Sequence, residues 1–313
     1  MSCNAQTFSF ASWYYFGSVT LFVALAIFQM TTPPCIFLID NGSLRADSVL
    51  ALRGLATQLS ERVGLQVEPV SLLHSSKIPA SELGGVAARV VKPTLRRLIA
   101  MGARKFVFVP LFLGPSRAIT DYLPELIAEA RLSAPDLQVV VADTLAGVDV
   151  AAPDLRLAEM LAEHVRLTMQ AAGLSHPRVA LVDHGTPAKV VNQVRNAVAD
   201  QLALLLQTEV AAVAACSMER REGVEYDFNE PLLERVAQLD GWAAAEVIVA
   251  LFFLLPGRHA GAGGDVAEIC DGLITQHTLR SAVRTPLLGE HPRLIDILAD
   301  RLRAALDSCE QSA

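Results

Sequence analysis

The sequence predicts an α/β protein built from two tandem halves, each a mostly parallel sheet flanked by helices. After Pro34, short apolar runs alternate with longer stretches of helical periodicity, a pattern typical of βαβ units. The order of elements in the second half repeats the order in the first, and 313 residues are enough for two ordinary domains. Hydrophobic residues account for 52% of the chain and charged residues for 19%, which indicates a folded chain and not a disordered one.

The first half is expected to contain four strands and three helices. The expected strands are 35–40, 65–73, 105–113 and 137–142, and the expected helices are 48–63, 93–101 and 121–132. The run KFVFVPLFL at 105–113 is apolar throughout, which is typical of a parallel strand buried on both faces. Gly102 ends the second helix, because glycine is common just past a helix C-terminus.

The second half is expected to repeat this arrangement. Its expected strands are 178–183, 210–216, 245–254 and 281–283, and its expected helices are 189–207, 231–239, 265–276 and 291–306. The polar stretch 173–177 contains Gly and Pro and predicts the join between the halves. The sequence is therefore divided into an apolar extension at 1–34, a first half at 35–173 and a second half at 174–313.

Three pairs of segments align between the halves and indicate an internal repeat. IDNGS (39–43) aligns with VDHGT (182–186), VVKPTL (90–95) with FNEPLL (228–233), and FLGPSRA (112–118) with FLLPGRH (253–259). The residues kept in both halves are best explained by the fold. These are Asp40 with Asp183, Gly42 with Gly185, and the pair Pro115 and Arg117 with Pro256 and Arg258.

Where the halves differ, the side chains that could bind a metal or a proton lie in the second half. The second half has His184, Glu230 and His259 where the first half has, in the same order, Asn41, Lys92 and Ala118. All three positions follow strands or begin helices, and open α/β sheets bind ligands at the carboxyl ends of their strands. Two imidazoles and a carboxylate suit Fe, Co, Ni or Zn ions, and the same groups accept protons near neutral pH.

A structural interpretation of these three residues also stands. A single histidine at a strand end is usually a hydrogen-bonded structural residue. Glu230 would then be a favourable charge at the N-terminus of a helix that begins at Pro231. The joint occurrence of all three in one half favours a functional site.

Charge and cysteine content exclude several classes of protein. The net charge is −7 and there is no dense basic run, which argues against a nucleic-acid partner. The five cysteines are scattered, so we expect a reduced, cytoplasmic protein with neither a disulfide framework nor a cysteine-bound zinc. No GxxxxGK[ST] phosphate-binding loop occurs.

The N-terminal segment 8–28 is almost wholly apolar and has about the ~20 residues needed to span a bilayer. Three interpretations remain open. Translation starts at Met30, just ahead of the first strand, so that residues 1–29 are absent from the mature protein; this is the favoured expectation. Alternatively, the segment is a membrane anchor, or it is an export signal that lacks the usual basic residues and cleavage site.

These motifs resemble the class II sirohydrochlorin chelatases of the CbiX type, in their two-domain form. The resemblance rests on VDHGT after a strand, on NEP at 229–231, on FLLPGRH at 253–259 and on TPLLGEHPRLIDILADRL at 285–302. It covers roughly residues 35 to 306. It implies two Rossmann-like halves facing each other across a cleft that takes a tetrapyrrole. It also implies a lyase that inserts Fe²⁺ or Co²⁺ into sirohydrochlorin without ATP, for siroheme or cobalamin synthesis.

By the same resemblance, His184 and His259 contact the metal and accept pyrrole protons, and Glu230 assists either step. The divalent metal is a substrate, no tightly bound cofactor is expected, and the protein is a monomer or a homodimer. A non-catalytic metal or tetrapyrrole carrier of the same fold is the alternative. Two features depart from the family pattern: the site lies in the C-terminal half, and a glycine-rich loop with Gly261, Gly263 and Gly264 follows His259.

Overall fold

Two four-stranded sheets make up the protein. The computed structural model describes residues 33–261 and 263–311, and from Cys35 onward the chain forms one compact unit. The first sheet comprises β1 (Cys35–Asp40), β2 (Val67–Ser71), β3 (Lys105–Pro110) and β4 (Gln138–Val141). The second comprises β5 (Arg178–Asp183), β6 (Ala212–Ser217), β7 (Glu246–Leu251) and β8 (Ser281–Arg284).

Every strand pair in these sheets is parallel. The spatial orders are β2-β1-β3-β4 and β6-β5-β7-β8, so the second sheet reproduces the topology of the first. The predicted fold class, two tandem Rossmann-like halves, is therefore confirmed. Because the strands are parallel, the residues that follow β1 and β3, or β5 and β7, meet at one edge of each sheet.

Seven α-helices flank the sheets in the described residues. They are α1 (Ala46–Val63), α2 (Val91–Ala100), α3 (Leu123–Ser133), α4 (Arg156–Ala172), α5 (Lys189–Leu206), α6 (Asp265–Thr275) and α7 (Leu294–Gln311). Helix α4 shows why such segments fold: Leu157, Leu161, Val165 and Thr168 recur at helical spacing and are buried along one face. It ends at Gly173, whose φ of 64° is the left-handed geometry that closes many helices.

The last helix of each half packs on the sheet of the other half. Helix α4 packs against α5 and β7, whereas α7 packs against α1 and β3. One hydrophobic core consequently joins Leu38 of the first sheet to Leu181 of the second. The boundary predicted at 173/174 separates the two sheets, and the helix packing crosses it.

The structure departs from the predicted elements most clearly after Glu230. The helix expected at 231–239 is absent, and a 3₁₀ turn at Leu233–Gln238 takes its place. The reason lies just before the turn: the Ser217 amide donates to the Pro231 carbonyl, and Leu232 is extended beside the end of β6. A backbone held in that extended bridge is unable to begin an α-helix at Pro231. The expected helix at 121–132 begins with a π-helical turn at Ala118–Tyr122.

Two glycines kept in both halves have a structural reason. Gly42 and Gly185 have φ values of 93° and 94°, in the left-handed region. A Cβ at Gly42 would lie 1.8 Å from the carbonyl oxygen of Leu73, and one at Gly185 would lie 1.9 Å from that of Glu219. Each turn therefore requires a residue without a side chain, which supports assigning these glycines to the fold.

Gly42→Ala is expected to lower the free energy of unfolding by about 2 kcal/mol, because the new methyl group displaces the Leu73 backbone and strains φ. Urea unfolding followed by circular dichroism measures the change. Gly54→Ala is the matched control: Gly54 lies inside α1 with nothing within 4 Å of a Cβ, so alanine there should stabilise by up to about 1 kcal/mol. Equal stability of Gly42→Ala and wild type would contradict the argument.

The prediction of a membrane-spanning segment bears on the location of the protein in the cell. Within residues 33–261 and 263–311 there is no helix with the length and apolar character of a membrane span. The apolar segment 8–28 lies outside the described residues.

Cys35, Cys216 and Cys270 are free thiols, and burial raises the pKa of Cys216 to about 12 and that of Cys270 to about 11. Such thiols are inert at neutral pH.

Candidate functional site

His184 lies at the carboxyl edge of the second sheet, directly after the last residue of β5. Its Nδ1 lies 3.1 Å from the carbonyl oxygen of Gly185. A carbonyl oxygen only accepts, so Nδ1 carries the hydrogen in this contact and Nε2 is left to take a proton or a metal. Nε2 lies 3.3 Å from Oε1 of Glu219, a carboxylate that stabilises positive charge on the ring.

His259 lies in the loop between β7 and α6. Its Nδ1 lies 2.6 Å from Oδ2 of Asp265, the first residue of α6. A carboxylate on one ring nitrogen fixes the tautomer and the orientation of the ring. Nε2 of His259 is consequently also the nitrogen available for a ligand.

The structure brings the two histidines together. Their ring centroids are 4.5 Å apart, and the ring planes meet at 63°. The two histidines are separated by 75 positions in sequence. They lie side by side at the sheet edge because β5 and β7 are adjacent parallel strands. Both rings are partly exposed, with 46% of the His184 side chain and 33% of the His259 side chain accessible.

Glu230 is placed differently from the expectation of a shared ligand set. Its Oε1 accepts from Nε of Arg220 at 2.9 Å and from Nη1 of Arg235 at 3.2 Å, and its Oε2 accepts from the Leu232 amide. These contacts occupy both carboxylate oxygens. In the described part of the chain, no group of three or more His, Cys, Asp or Glu side chains has the geometry to hold a metal ion. The metal-ligand role predicted for Glu230 stays a prediction.

A buried network supports the loop that carries His184. The Asp183 carboxylate accepts from the Ser217 hydroxyl at 2.7 Å and from the Gly185 amide at 3.1 Å. The guanidinium of Arg195, only 1% exposed, lies 3.5 Å from the same carboxylate and donates to Ser217. Burial raises the pKa of Asp183, and the charge on Arg195 opposes that rise.

Asn229 holds the other side of this loop. Its side-chain oxygen accepts from the amide of Thr186 at 3.0 Å, and its side-chain nitrogen donates to the carbonyl of Thr186 at 3.0 Å. Asn229 is completely buried. The backbone at 183–186, and with it the position of the His184 ring, is therefore fixed from both sides.

The first half keeps the hydrogen bonds of Asp40 to Ser71 and to the Gly42 amide but lacks the arginine. Arg195 is the seventh residue of α5, and the seventh residue of α1 is Leu52. Asp40 occupies the place of Asp183, and its Oδ1 is buried without a hydrogen-bond partner in the described residues. Burial raises the pKa of Asp40, with Ser71 as its side-chain hydrogen-bond partner. The two halves differ, then, in their supporting residues as well as in their histidines.

A cleft of about 320 Å³ separates the carboxyl edges of the two sheets. Its polar wall includes Asp40 and Asn41 from the first half and His184 from the second. Its apolar walls are the equivalent segments 111–113 and 252–255, rich in Phe and Leu. The site therefore combines apolar cleft walls with a pair of imidazoles, of which His184 lines the cleft and His259 lies beside it.

One protein family matches both halves of the chain. A family model described as CbiX matches residues 35–166 and again residues 178–305. The chain belongs to the CbiX family. The resemblance found in the sequence is thus confirmed, and the family model matches each half once, as the internal repeat requires. A comparison with curated proteins finds no match.

Solved structures agree with this CbiX assignment at the level of fold. SirB from Bacillus subtilis with Fe³⁺ superposes with a TM-score of 0.62 at 16% identity, over 90% of this chain and 98% of that chain. SirB from Bacillus subtilis subspecies spizizenii in complex with cobalt gives the same values. CbiX, described as the terminal enzyme for siroheme biosynthesis in denitrifying bacteria, has a TM-score of 0.52 at 16% identity, over 87% of this chain and 98% of that chain.

Four residues of this CbiX-family site are missed by sequence reasoning: Glu219, Asp265, Arg195 and Asn229. Glu219 had a usable signal, because it follows β6 at the same sheet edge and takes the place of Leu73 in the first half. Asp265 opens the helix after His259, a position that suits an acid. Arg195 lies inside a helix, and periodicity alone gives no sign that its guanidinium is buried.

Proposed function

We propose that this protein inserts a divalent metal ion, Fe²⁺ or Co²⁺, into sirohydrochlorin without ATP, and so acts as a sirohydrochlorin chelatase, a lyase. The observation that carries the proposal is the pair of imidazoles, His184 and His259, at 4.5 Å beside the cleft. Membership of the CbiX family supports it. So does the fold shared with SirB, whose structures carry Fe³⁺ or cobalt.

The chemistry requires both a metal site and a proton acceptor. As M²⁺ enters the macrocycle, two pyrrole N–H groups lose their protons, so the reaction releases two H⁺ for each metal inserted. The Nε2 atoms of His184 and His259, which carry no hydrogen in the neutral tautomers, are suited to deliver the ion and to accept protons, since neutral imidazole does both near pH 7. Glu219 and Asp265 stabilise each ring when it carries positive charge.

The modest donor set is suited to a metal that must leave. A closed set of four protein ligands holds zinc or iron tightly, whereas a substrate metal has to be released into the macrocycle. Two imidazoles with partly exposed rings hold an ion weakly. We assign Glu230 an indirect role: it anchors Arg220, the neighbour of Glu219.

The first half then serves as a wall of the cleft. It lacks both histidines, having Asn41 and Ala118 in their places, while Asn41 and Phe112 still line the space. One chain accordingly provides one insertion site, and no second subunit is needed to complete it.

The test is an insertion assay with Fe²⁺, Co²⁺, Ni²⁺ and Zn²⁺. We expect Fe²⁺ or Co²⁺ to convert the free-base absorption spectrum of sirohydrochlorin to that of the metal complex at least about 10-fold faster than without protein. The measurement is anaerobic stopped-flow absorbance at matched metal concentrations, with bovine serum albumin as the protein control. Binding of the pigment without acceleration by any metal would replace the enzyme by the carrier alternative.

A further inference from the structure

Two arginines kept in both halves, which the sequence repeat assigns to the fold, make few contacts in the structure. Arg117 and Arg258, here called the rim arginines, align in the repeat as FLGPSRA and FLLPGRH. Arg117 is exposed, and its side chain makes no hydrogen bond or ion pair with the described residues. The Arg258 side chain is 80% exposed and approaches one carboxylate, Asp265, at 3.7 Å. Exposed side chains with so few partners contribute little to stability.

Arginines that do serve the fold look different in this protein. Arg301 of α7 is mostly buried and donates to the carbonyl oxygens of Thr144 and Leu145, as well as to Asp154. The rim arginines lack contacts of this kind, so a role in the fold fails to account for their presence at equivalent positions. The other explanation is a ligand that both halves contact.

Their location identifies the surface involved. Arg117 directly follows Ser116, which lines the cleft, and Arg258 directly precedes His259. Each lies four residues after a leucine of an apolar cleft wall, Leu113 or Leu254. Each half thus carries one exposed arginine in the segment that directly follows its apolar cleft wall.

We propose that the rim arginines bind the carboxylates at the edge of the tetrapyrrole, one arginine from each half, while its flat face lies on the apolar walls. Guanidinium groups pair with carboxylates through two parallel hydrogen bonds. The inference rests on the proposed function, since it places a tetrapyrrole in the cleft. It also explains why the first half lacks the two histidines but keeps its arginine. The tetrapyrrole contacts both halves in this proposal, whereas the metal is delivered by the second half alone.

Binding of metal-free uroporphyrin, a porphyrin with acetates and propionates at its edge, tests this without any insertion step. In the full-length protein, Arg117→Gln and Arg258→Gln should each raise the Kd about 5-fold, and the double variant about 25-fold. Fluorescence quenching measures the Kd. The steepness of its dependence on salt should fall in each variant.

Arg131→Gln and Arg280→Gln are matched controls, since both arginines are exposed and lie at the opposite edges of the sheets, Arg131 in the last turn of α3 and Arg280 directly before β8. They should leave the Kd unchanged. An unchanged Kd in Arg117→Gln overturns the proposal, even if Arg258→Gln binds more weakly. If wild-type protein binds neither uroporphyrin nor sirohydrochlorin, the proposed function itself fails, and that result is distinct from a failure of the rim arginines alone.

Discussion

Replacing His184 by asparagine or His259 by alanine is expected to lower the rate of metal insertion at least about 100-fold. Each change removes one of the two imidazoles whose Nε2 atoms deliver the metal and accept the pyrrole protons in the proposed reaction. Because metal delivery and proton acceptance both depend on the same pair, the remaining ring is expected to retain little activity. The rate is measured as loss of free-base absorbance at saturating pigment and metal.

These two substitutions are chosen to preserve the fold. Asparagine and alanine are the residues that the first half carries at the equivalent positions, Asn41 and Ala118. The first sheet forms the same topology with these residues. The free energy of unfolding of each variant should therefore lie within about 0.5 kcal/mol of the wild-type value. His277→Asn, which removes an exposed imidazole from the opposite edge of the second sheet, is the control and should insert metal normally. Wild-type rates in both test variants would refute the assignment of the site.

The histidine pair was accessible from sequence because a repeated fold contains its own comparison. The apolar runs of β1, β3, β5 and β7 are long enough to locate the strands, and the repeat aligns their carboxyl ends. Residues after those ends must then lie at one sheet edge, which is sufficient to bring His184 and His259 together. Their 4.5 Å contact is thus the part of the site that local pattern and topology determine.

Other features depend on contacts that periodicity does not encode. Helices α4 and α7 have ordinary amphipathic patterns. Such a pattern identifies the face of the helix that is buried, but it does not identify the sheet against which that face packs. Glu230 was expected beside the histidines because it precedes an apparent helix start. Its carboxylate pairs with Arg220 and Arg235, two cations from neighbouring turns that no spacing rule connects to it, and its metal-ligand role stays a prediction.

Arg195→Leu is expected to lower the free energy of unfolding by about 3 kcal/mol at pH 8. Arg195 is 1% exposed and lies 3.5 Å from the buried carboxylate of Asp183, so its removal leaves that carboxylate without a compensating charge. The Ser217 hydroxyl would also lose its donor at 2.5 Å. Urea unfolding measures the loss. Arg166→Leu, which breaks an exposed pair with Glu209, is the control and should cost less than about 1 kcal/mol.

The loss should depend on pH with a definite sign. Burial already raises the pKa of Asp183, and removing the Arg195 charge raises it further. A carboxyl group with a raised pKa in the folded state keeps a proton that the unfolded chain releases above about pH 4. Both proteins lose stability above about pH 4, but wild type stops losing it once its Asp183 has ionised in the folded state. The deficit of Arg195→Leu therefore grows between the folded-state pKa of Asp183 in wild type and the higher one in the variant, and it should be larger at pH 8 than at pH 5.

A second substitution separates charge from packing. Asp183→Asn in the Arg195→Leu background removes the buried charge and keeps an oxygen that accepts from the Gly185 amide. The double variant should recover about half of the lost stability and lose the pH dependence. The first half folds with Leu52 at the position equivalent to Arg195, which indicates that a leucine is compatible with this helix position. If the double variant is no more stable than Arg195→Leu at pH 8, the guanidinium stabilises through packing alone, and the support it gives to the His184 loop is not electrostatic.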